Sequence, residues 1–169
     1  KTFDNGMICA SEQSVVCLDE VYDKVRQEFL WRGAWFADKE QAEALCGVIF
    51  KNGKANSAIV GQPAYKIAAM AGITLPESVK VLIAERDEVR PDDPFGHEKL
   101  SPVLGMYRVP DFTTALDTAK RLILQGGAGH TSVLYTDESK RDRIDVFEEV
   151  MPTGRTLVNM PASQGAIGD

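Results

Sequence analysis

Residues 103–136 read VLGMYRVPDFTTALDTAKRLILQGGAGHTSVLYT, and this stretch holds a strand, a helix and a second strand in succession. Residues 103–109 form a short apolar run of strand length. Asp111 is placed to cap a helix, with Phe112, Ala115, Leu116, Ala119, Leu122 and Ile123 recurring at helical spacing on its inner face. Gly126, Gly127 and Gly129 stop that helix, and residues 131–136 resume an apolar strand. Parallel strands need such a crossover helix, so the unit predicts an α/β layer with a mostly parallel sheet.

The same alternation continues on both sides. Residues 14–18, 79–85 and 155–160 read as further strands. Residues 19–30 carry Val21, Tyr22, Val25 and Phe29 at helical spacing. Asp38 followed by Gln41 is a capping-box signature, ahead of a buried stripe of Ala42, Leu45, Cys46, Ile49 and Phe50, with Gly53 as the expected stop. Pro63 suits the first turn of a short helix with Ile67, Ala68 and Ala71 inward and Gly72 closing it. Ser139 is the expected cap of a last helix that buries Ile144, Phe147 and Met151. Residues 87–102 are broken by Pro91, Pro94 and Pro102 and read as a long irregular loop, the kind that carries function or lacks order.

Composition narrows the classes. The chain has 169 residues, 26% charged and 44% apolar, which suits one domain with a real core. Net charge is −6 and Lys and Arg are scattered, so no basic stripe exists to neutralise a phosphate backbone. No apolar run is long enough to span a membrane, and residues 1–6 lead into no signal-peptide core. The first residue is Lys rather than Met, so the expectation is a piece of something longer. Cys9, Cys17 and Cys46 are an odd set without CxxC spacing, which argues against a disulfide framework or zinc knuckle and for a reducing, cytoplasmic setting. No GxGxxG follows a strand, and HExxH, GxSxG and GxxxxGK[ST] are absent.

Few residues remain that could carry chemistry. Cys9 follows the Asn5-Gly6 turn and precedes small polar residues, a setting where backbone N–H groups can stabilise a thiolate. The alternative is a buried structural thiol, the usual fate of free cysteine and the one expected for Cys17 and Cys46. His130 sits between the glycine cluster and a strand, where it is either a satisfied structural histidine or a proton acceptor. His97 and Glu98 lie in the proline-rich loop. Either the Glu98–Lys99 pair is simply solvated, or Glu98 accepts hydrogen bonds from a ligand's vicinal hydroxyls.

Five blocks then fall into a recognisable order: FDNGMICASEQS (3–14), KNGKANSAIVGQPAYKIAAMAG (51–72), HEKLSPVLGMYR (97–108), GGAGHTSVLYT (126–136) and NMPASQGAIGD (159–169). Over the whole chain they resemble the aldehyde dehydrogenase superfamily, and within it the CoA-acylating part of bifunctional aldehyde–alcohol dehydrogenases. The resemblance implies a three-layer α/β/α catalytic domain over residues 1–169, with NAD as cofactor, CoA as co-substrate and no metal in this domain. It implies that Cys9 is the nucleophile, that Glu98 binds the nicotinamide ribose and that His130 lies near the thioester. Residues 161–165 match the stretch that returns towards the active site. Where the wider superfamily has Phe-Gly-Pro, this chain has Leu100-Ser101-Pro102.

In that family most of the cofactor-binding half, and an asparagine of the oxyanion hole, precede the cysteine and are not in this chain. An iron-dependent alcohol dehydrogenase part would follow Asp169, and the parent is expected to be a homo-oligomer acting on a short aldehyde such as acetaldehyde or its acyl-CoA. Two other readings remain open: a hydrolytic aldehyde dehydrogenase that releases free acid, and a non-catalytic assembly module.

Overall fold

The computed structural model describes residues 1–167. In chain order the elements are β1 (Ser14–Leu18), α1 (Asp19–Trp31), β2 (Ala34–Ala37), α2 (Lys39–Ile49), β3 (Phe50–Lys51), β4 (Lys54–Ala55), α3 (Ala64–Met70) and β5 (Val81–Arg86). There follow β6 (Val103–Val109), α4 (Phe112–Gly126), β7 (Gly129–Leu134), α5 (Arg141–Val150), β8 (Thr153–Val158) and α6 (Ala162–Ile167).

Four strands form the central sheet in the order β1-β6-β5-β2, every pair parallel. Strand alternation sorts their side chains between two faces. Val15, Cys17, Val81, Ile83, Leu104 and Met106 point to one side and pack on Tyr22, Val25 and Phe29 of α1. Leu82, Ala84, Val103 and Trp35 point to the other and pack on Leu45, Ile49, Ile67 and Ala68 of α2 and α3. Val16 and Tyr107 meet Leu122 of α4. Since β5 and β6 are covered on both faces, almost every residue along them is apolar and buried. The result is the expected α/β/α sandwich.

Helix starts follow the expected chemistry in two cases. The Asp38 side chain accepts from Gln41 N while Gln41 reaches back to Asp38 N, both at 2.9 Å. Asp111 accepts from Thr114 N at 2.7 Å, and α4 ends at Gly127 with φ +95.

Three expectations are corrected. Ser139 does not cap α5: Lys140 is the N-cap residue, and the Ser139 N–H is itself taken by Asp137 Oδ1 at 2.9 Å. Gly53 does not stop α2, which ends at Ile49. Asn52 and Gly53, at φ +54 and +72, instead turn the β3–β4 hairpin, because a two-residue turn of that hand needs left-handed backbone at both positions. The last two strands do not extend the central sheet; β7 and β8 pair with each other in a separate parallel sheet.

Candidate functional site

Cys9 occupies the turn of residues 8–11, closed by Ser11 N donating to Ile8 O at 2.9 Å. Its thiol is exposed. The turn is fixed from three sides. Asn5 Nδ2 donates to Gly61 O at 3.0 Å, and Gly61 N donates to Leu100 O at 3.0 Å. Gly6, at φ +70, lies so close to the Ser101 carbonyl that a Cβ there would sit 2.7 Å from its oxygen. Gln13 Nε2 donates to Ser11 O at 3.0 Å. Asp4 and Asn5 share the left-handed backbone at φ +46 and +48, a region that Asp and Asn enter more readily than other residues with a side chain.

The other two thiols are differently placed. Cys17 is buried in the α1 face of the sheet, and burial raises its pKa although Arg108 opposes the rise. Cys46 is half-buried on α2. Burial, with the Asp93 carboxylate nearby, pushes its thiol up to about 11. Both sit where a thiolate is disfavoured, which leaves Cys9 as the accessible sulfur.

Glu98 lies in the loop that leads into β6, and Cys9 in the loop that leads into β1. These strands are neighbours with Ser14 opposite Gly105, so both loops meet at one end of the sheet. Glu98 is exposed, and among the described residues no hydrogen bond or ion pair engages its carboxylate. Its neighbour is not solvated, contrary to the reading of a solvent-exposed Glu–Lys pair. Lys99 is 3% exposed, and its Nζ donates to Phe95 O at 2.7 Å and His97 O at 2.6 Å. Burial lowers its pKa well below the ordinary lysine value, and the Lys1 charge adds to that, against Asp93 and Glu98. A small cleft of ≈ 180 Å³ lies beside Glu98, bordered by Leu100, Asn56 and Ile59. That volume is below the range of about 300–1,000 Å³ for small-molecule sites, so it suits a part of a ligand only.

His130 is exposed on β7, with Nδ1 2.9 Å from Thr131 Oγ1. No hydrogen bond joins it to Cys9 or Glu98 among the described residues. The nearest tie between its sheet and the Cys9 loop runs through α6, where Ala162 N donates to Glu12 Oε1 at 3.0 Å. Of residues 161–165, Ala162 thus bonds the segment that carries Cys9; the end of that sequence block, residues 168–169, lies outside the described residues. His97 is half-buried, its ring tilted against Phe50 with centroids 5.1 Å apart and its Nε2 2.9 Å from Pro91 O. It braces the loop instead of facing the site. The link between Gln13 and Lys99 escaped sequence reading, since it spans 86 positions.

An α/β/α sandwich with an exposed thiol where two loops meet at one end of a parallel sheet is the class of architecture defined so far. No family profile matches the chain. It is 54% identical over 170 residues to the bifunctional aldehyde-alcohol dehydrogenase AdhE of Escherichia coli (strain K12), covering 100% of this chain and 19% of that protein. The aldehyde-alcohol dehydrogenase of Clostridium acetobutylicum is likewise 54% identical, over 100% of this chain and 20% of its own length. Among solved structures, an acetylating aldehyde dehydrogenase from Geobacillus thermoglucosidasius superposes with a TM-score of 0.95 at 39% identity, over 99% of this chain and 37% of that one. The chain thus spans about one fifth of the bifunctional relatives it matches. Over its full length the chain is thus similar to the corresponding part of aldehyde-alcohol and acetylating aldehyde dehydrogenases.

Proposed function

We propose that residues 1–169 form the nucleophile-bearing catalytic domain of a CoA-acylating aldehyde dehydrogenase that interconverts a short aldehyde and its acyl-CoA. The observation that carries this reading is Cys9: the exposed thiol of the three, on a turn tied to the Glu98 loop, within a chain whose relatives are acylating enzymes.

The Cys9 thiolate attacks the aldehyde carbonyl carbon, and the π pair moves to oxygen. The Cys9 backbone N–H is the donor within this chain that such an oxyanion could use. When bound, NAD supplies the hydride acceptor for oxidation to the thioester. Glu98 would hold it: an exposed, unengaged carboxylate with two acceptor oxygens fits two vicinal ribose hydroxyls, and the adjoining cleft is sized for part of a ligand. The CoA thiol gives its proton to a base and attacks the thioester carbon, and the C–S bond to Cys9 breaks to restore the thiolate. His130 is the candidate base for that proton: an imidazole nitrogen can accept it, and the residue's exposure leaves it free to meet CoA. Sulfur suits both halves, because it attacks carbonyls well and leaves well.

The remaining cofactor contacts would belong to the half that precedes the cysteine in such enzymes, and an alcohol dehydrogenase part would follow, as the name of the bifunctional relatives suggests. A cytoplasmic, homo-oligomeric enzyme is the corresponding setting; among the described residues no helix is long and apolar enough to cross a membrane.

The test is CoA-dependent NADH formation from acetaldehyde by the full-length enzyme. Cys9→Ala should abolish it, and retained activity would refute the nucleophile. His130→Ala should slow the acyl transfer to CoA, and an unchanged transfer step would remove it from the chemistry. Free acid formed at full rate without CoA would identify a hydrolytic enzyme instead.

A further inference from the structure

Glu98 is bracketed by one buried device. The residue before it is held through its carbonyl: His97 O accepts from Lys99 Nζ at 2.6 Å. The residue after it is held through its amide: Lys99 N donates to Gln13 Oε1 at 3.0 Å. Gln13 in turn holds the Cys9 turn, with Nε2 on Ser11 O at 3.0 Å. Its Oε1 also accepts from Lys1 Nζ at 3.1 Å. One glutamine side chain therefore touches both loops, and one lysine side chain closes the second loop on itself around Glu98.

The chemistry of Lys99 argues that this arrangement has a use beyond packing. Lysine is almost never fully buried unless its amine is satisfied, because removing the charge from water is costly. Here the amine has two carbonyl acceptors, Phe95 O and His97 O, which match the two N–H bonds of a neutral amine. An apolar side chain would fill the space without that cost, but it would leave both carbonyls unpaired and the backbone around Glu98 free to move.

We propose that Gln13 and Lys99 are positioning residues that fix the Glu98 carboxylate relative to the Cys9 turn. This rests on the reading of Cys9 as nucleophile and Glu98 as ribose ligand. The nicotinamide-dependent half of the reaction then requires the Gln13–Lys99 joint. Acyl exchange between Cys9 and CoA needs no nicotinamide and does not require it.

The two halves can be measured apart in the full-length enzyme. One assay is steady-state NAD-dependent oxidation; the other is exchange of labelled CoA into acyl-CoA without nicotinamide. Lys99→Met and Gln13→Leu should each raise the KM for NAD by about tenfold, as when the equivalent of about one hydrogen bond's usual net strength is lost at Glu98. For Lys99→Met, whose side chain makes no bond to the Cys9 turn, the exchange rate should stay within about twofold, well short of a tenfold barrier change. Glu98→Gln is the reference and should raise the same KM. Lys99→Met added to Glu98→Gln should raise it little further, because the joint acts through that carboxylate. If Glu98→Gln raises the KM while Lys99→Met and Gln13→Leu leave it unchanged, the joint is refuted and the Glu98 assignment stands. If Glu98→Gln leaves it unchanged, that assignment falls and the inference with it. Equal loss of exchange and oxidation would show a merely structural role and overturn the proposal. Should Lys99→Met fail to fold, Gln13→Leu, which removes the acceptor of the Lys99 backbone N–H, decides through the KM for NAD.

Discussion

Gly6→Ala should destabilise the chain by far more than a glycine-to-alanine change normally does, and the structure says why. Gly6 has φ +70, and a Cβ there would lie 2.7 Å from Ser101 O and 2.9 Å from Ser101 C. Two penalties apply. Left-handed backbone costs a residue with a Cβ about 1–2 kcal/mol. Forcing an extra carbon against immovable atoms costs about 1–3 kcal/mol more, and here the obstacle is peptide backbone that no rotamer change can clear. The sum is about 2–5 kcal/mol, a large share of a typical domain's 5–15 kcal/mol. Gly72→Ala isolates the first penalty, because Gly72 has φ +75 with nothing within 4 Å of the new carbon. Urea unfolding of the three proteins at one pH gives the comparison directly. With a slope of about 1–3 kcal/mol/M, the extra penalty at Gly6 should move the midpoint by roughly 1 M relative to Gly72→Ala. Equal midpoints with equal slopes would refute the claim that the Cys9 and Glu98 loops are in backbone contact at this point.

Two further outcomes follow from the titrating groups. In a brief alkylation with iodoacetamide at pH 8, read residue by residue by mass spectrometry, Cys9 should react first. Cys46, with its pKa pushed up to about 11, is then only about one part in a thousand thiolate, and its rate should climb about tenfold per pH unit between 8 and 10. A Cys46 rate that matches Cys9, or that does not change with pH, would contradict the contrast between the thiols. Lys99 gives a stability slope. Its folded pKa is depressed by burial and by Lys1, against Asp93 and Glu98, so below about 10.4 the unfolded chain binds the extra proton. Stability should therefore rise with pH from the depressed folded value up to about 10.4, by at most about 1.4 kcal/mol per unit from this group. Urea midpoints at pH 7, 8 and 9 should rise more steeply in the unsubstituted chain than in Lys99→Met; parallel lines would mean Lys99 is not buried as described.

The parts of this molecule that could be read from sequence are those whose cause is local. Asp111 caps α4 through a contact three residues away, and Asp38 and Gln41 cap each other across the same distance. The first four residues of β5 and the first five of β6 are buried and free of charge because both faces of the sheet are covered there. Where the cause lies elsewhere in the chain, the reading stopped short. β2 is four residues between two helices, and what makes it a strand is its pairing with β5 some 47 positions on, Ala34 opposite Val81. Alternation identified the stretches that became β7 and β8 as strands but carried no information on which sheet they join. Asn52-Gly53 could have been read as a hairpin turn, since that pair favours left-handed backbone at both positions; reading Gly53 as a helix stop used half of the signal. Composition likewise treated Glu98 and Lys99 as one solvated pair. The chain instead turns one outward and the other inward, and the inward amine is tolerated because the Phe95 and His97 carbonyls accept from it.

The position of the candidate site also has a physical reason. In open α/β sheets ligands usually bind beyond the carboxyl ends of the strands. Here those ends offer little loop: β1 runs from Leu18 straight into α1 at Asp19, and β6 reaches α4 after Pro110 and Asp111. The amino ends of the same strands are fed by long irregular segments, residues 1–13 before β1 and 87–102 before β6. Those segments have the length to fold over each other, to place Gly6 against Ser101, and to bring the loops that carry Cys9 and Glu98 to the same end of the sheet. The β1–β6 register then sets the spacing between the two loops. Shifting either strand by one residue would turn its side chains to the wrong face, so the sheet core holds that spacing against drift. A deletion within residues 7–12 should thus move Cys9 away from the Glu98 loop and leave the sheet intact. Nicotinamide-dependent turnover would be lost while the folded core persisted, and loss of both together would show that the Cys9 loop is instead part of the folding core.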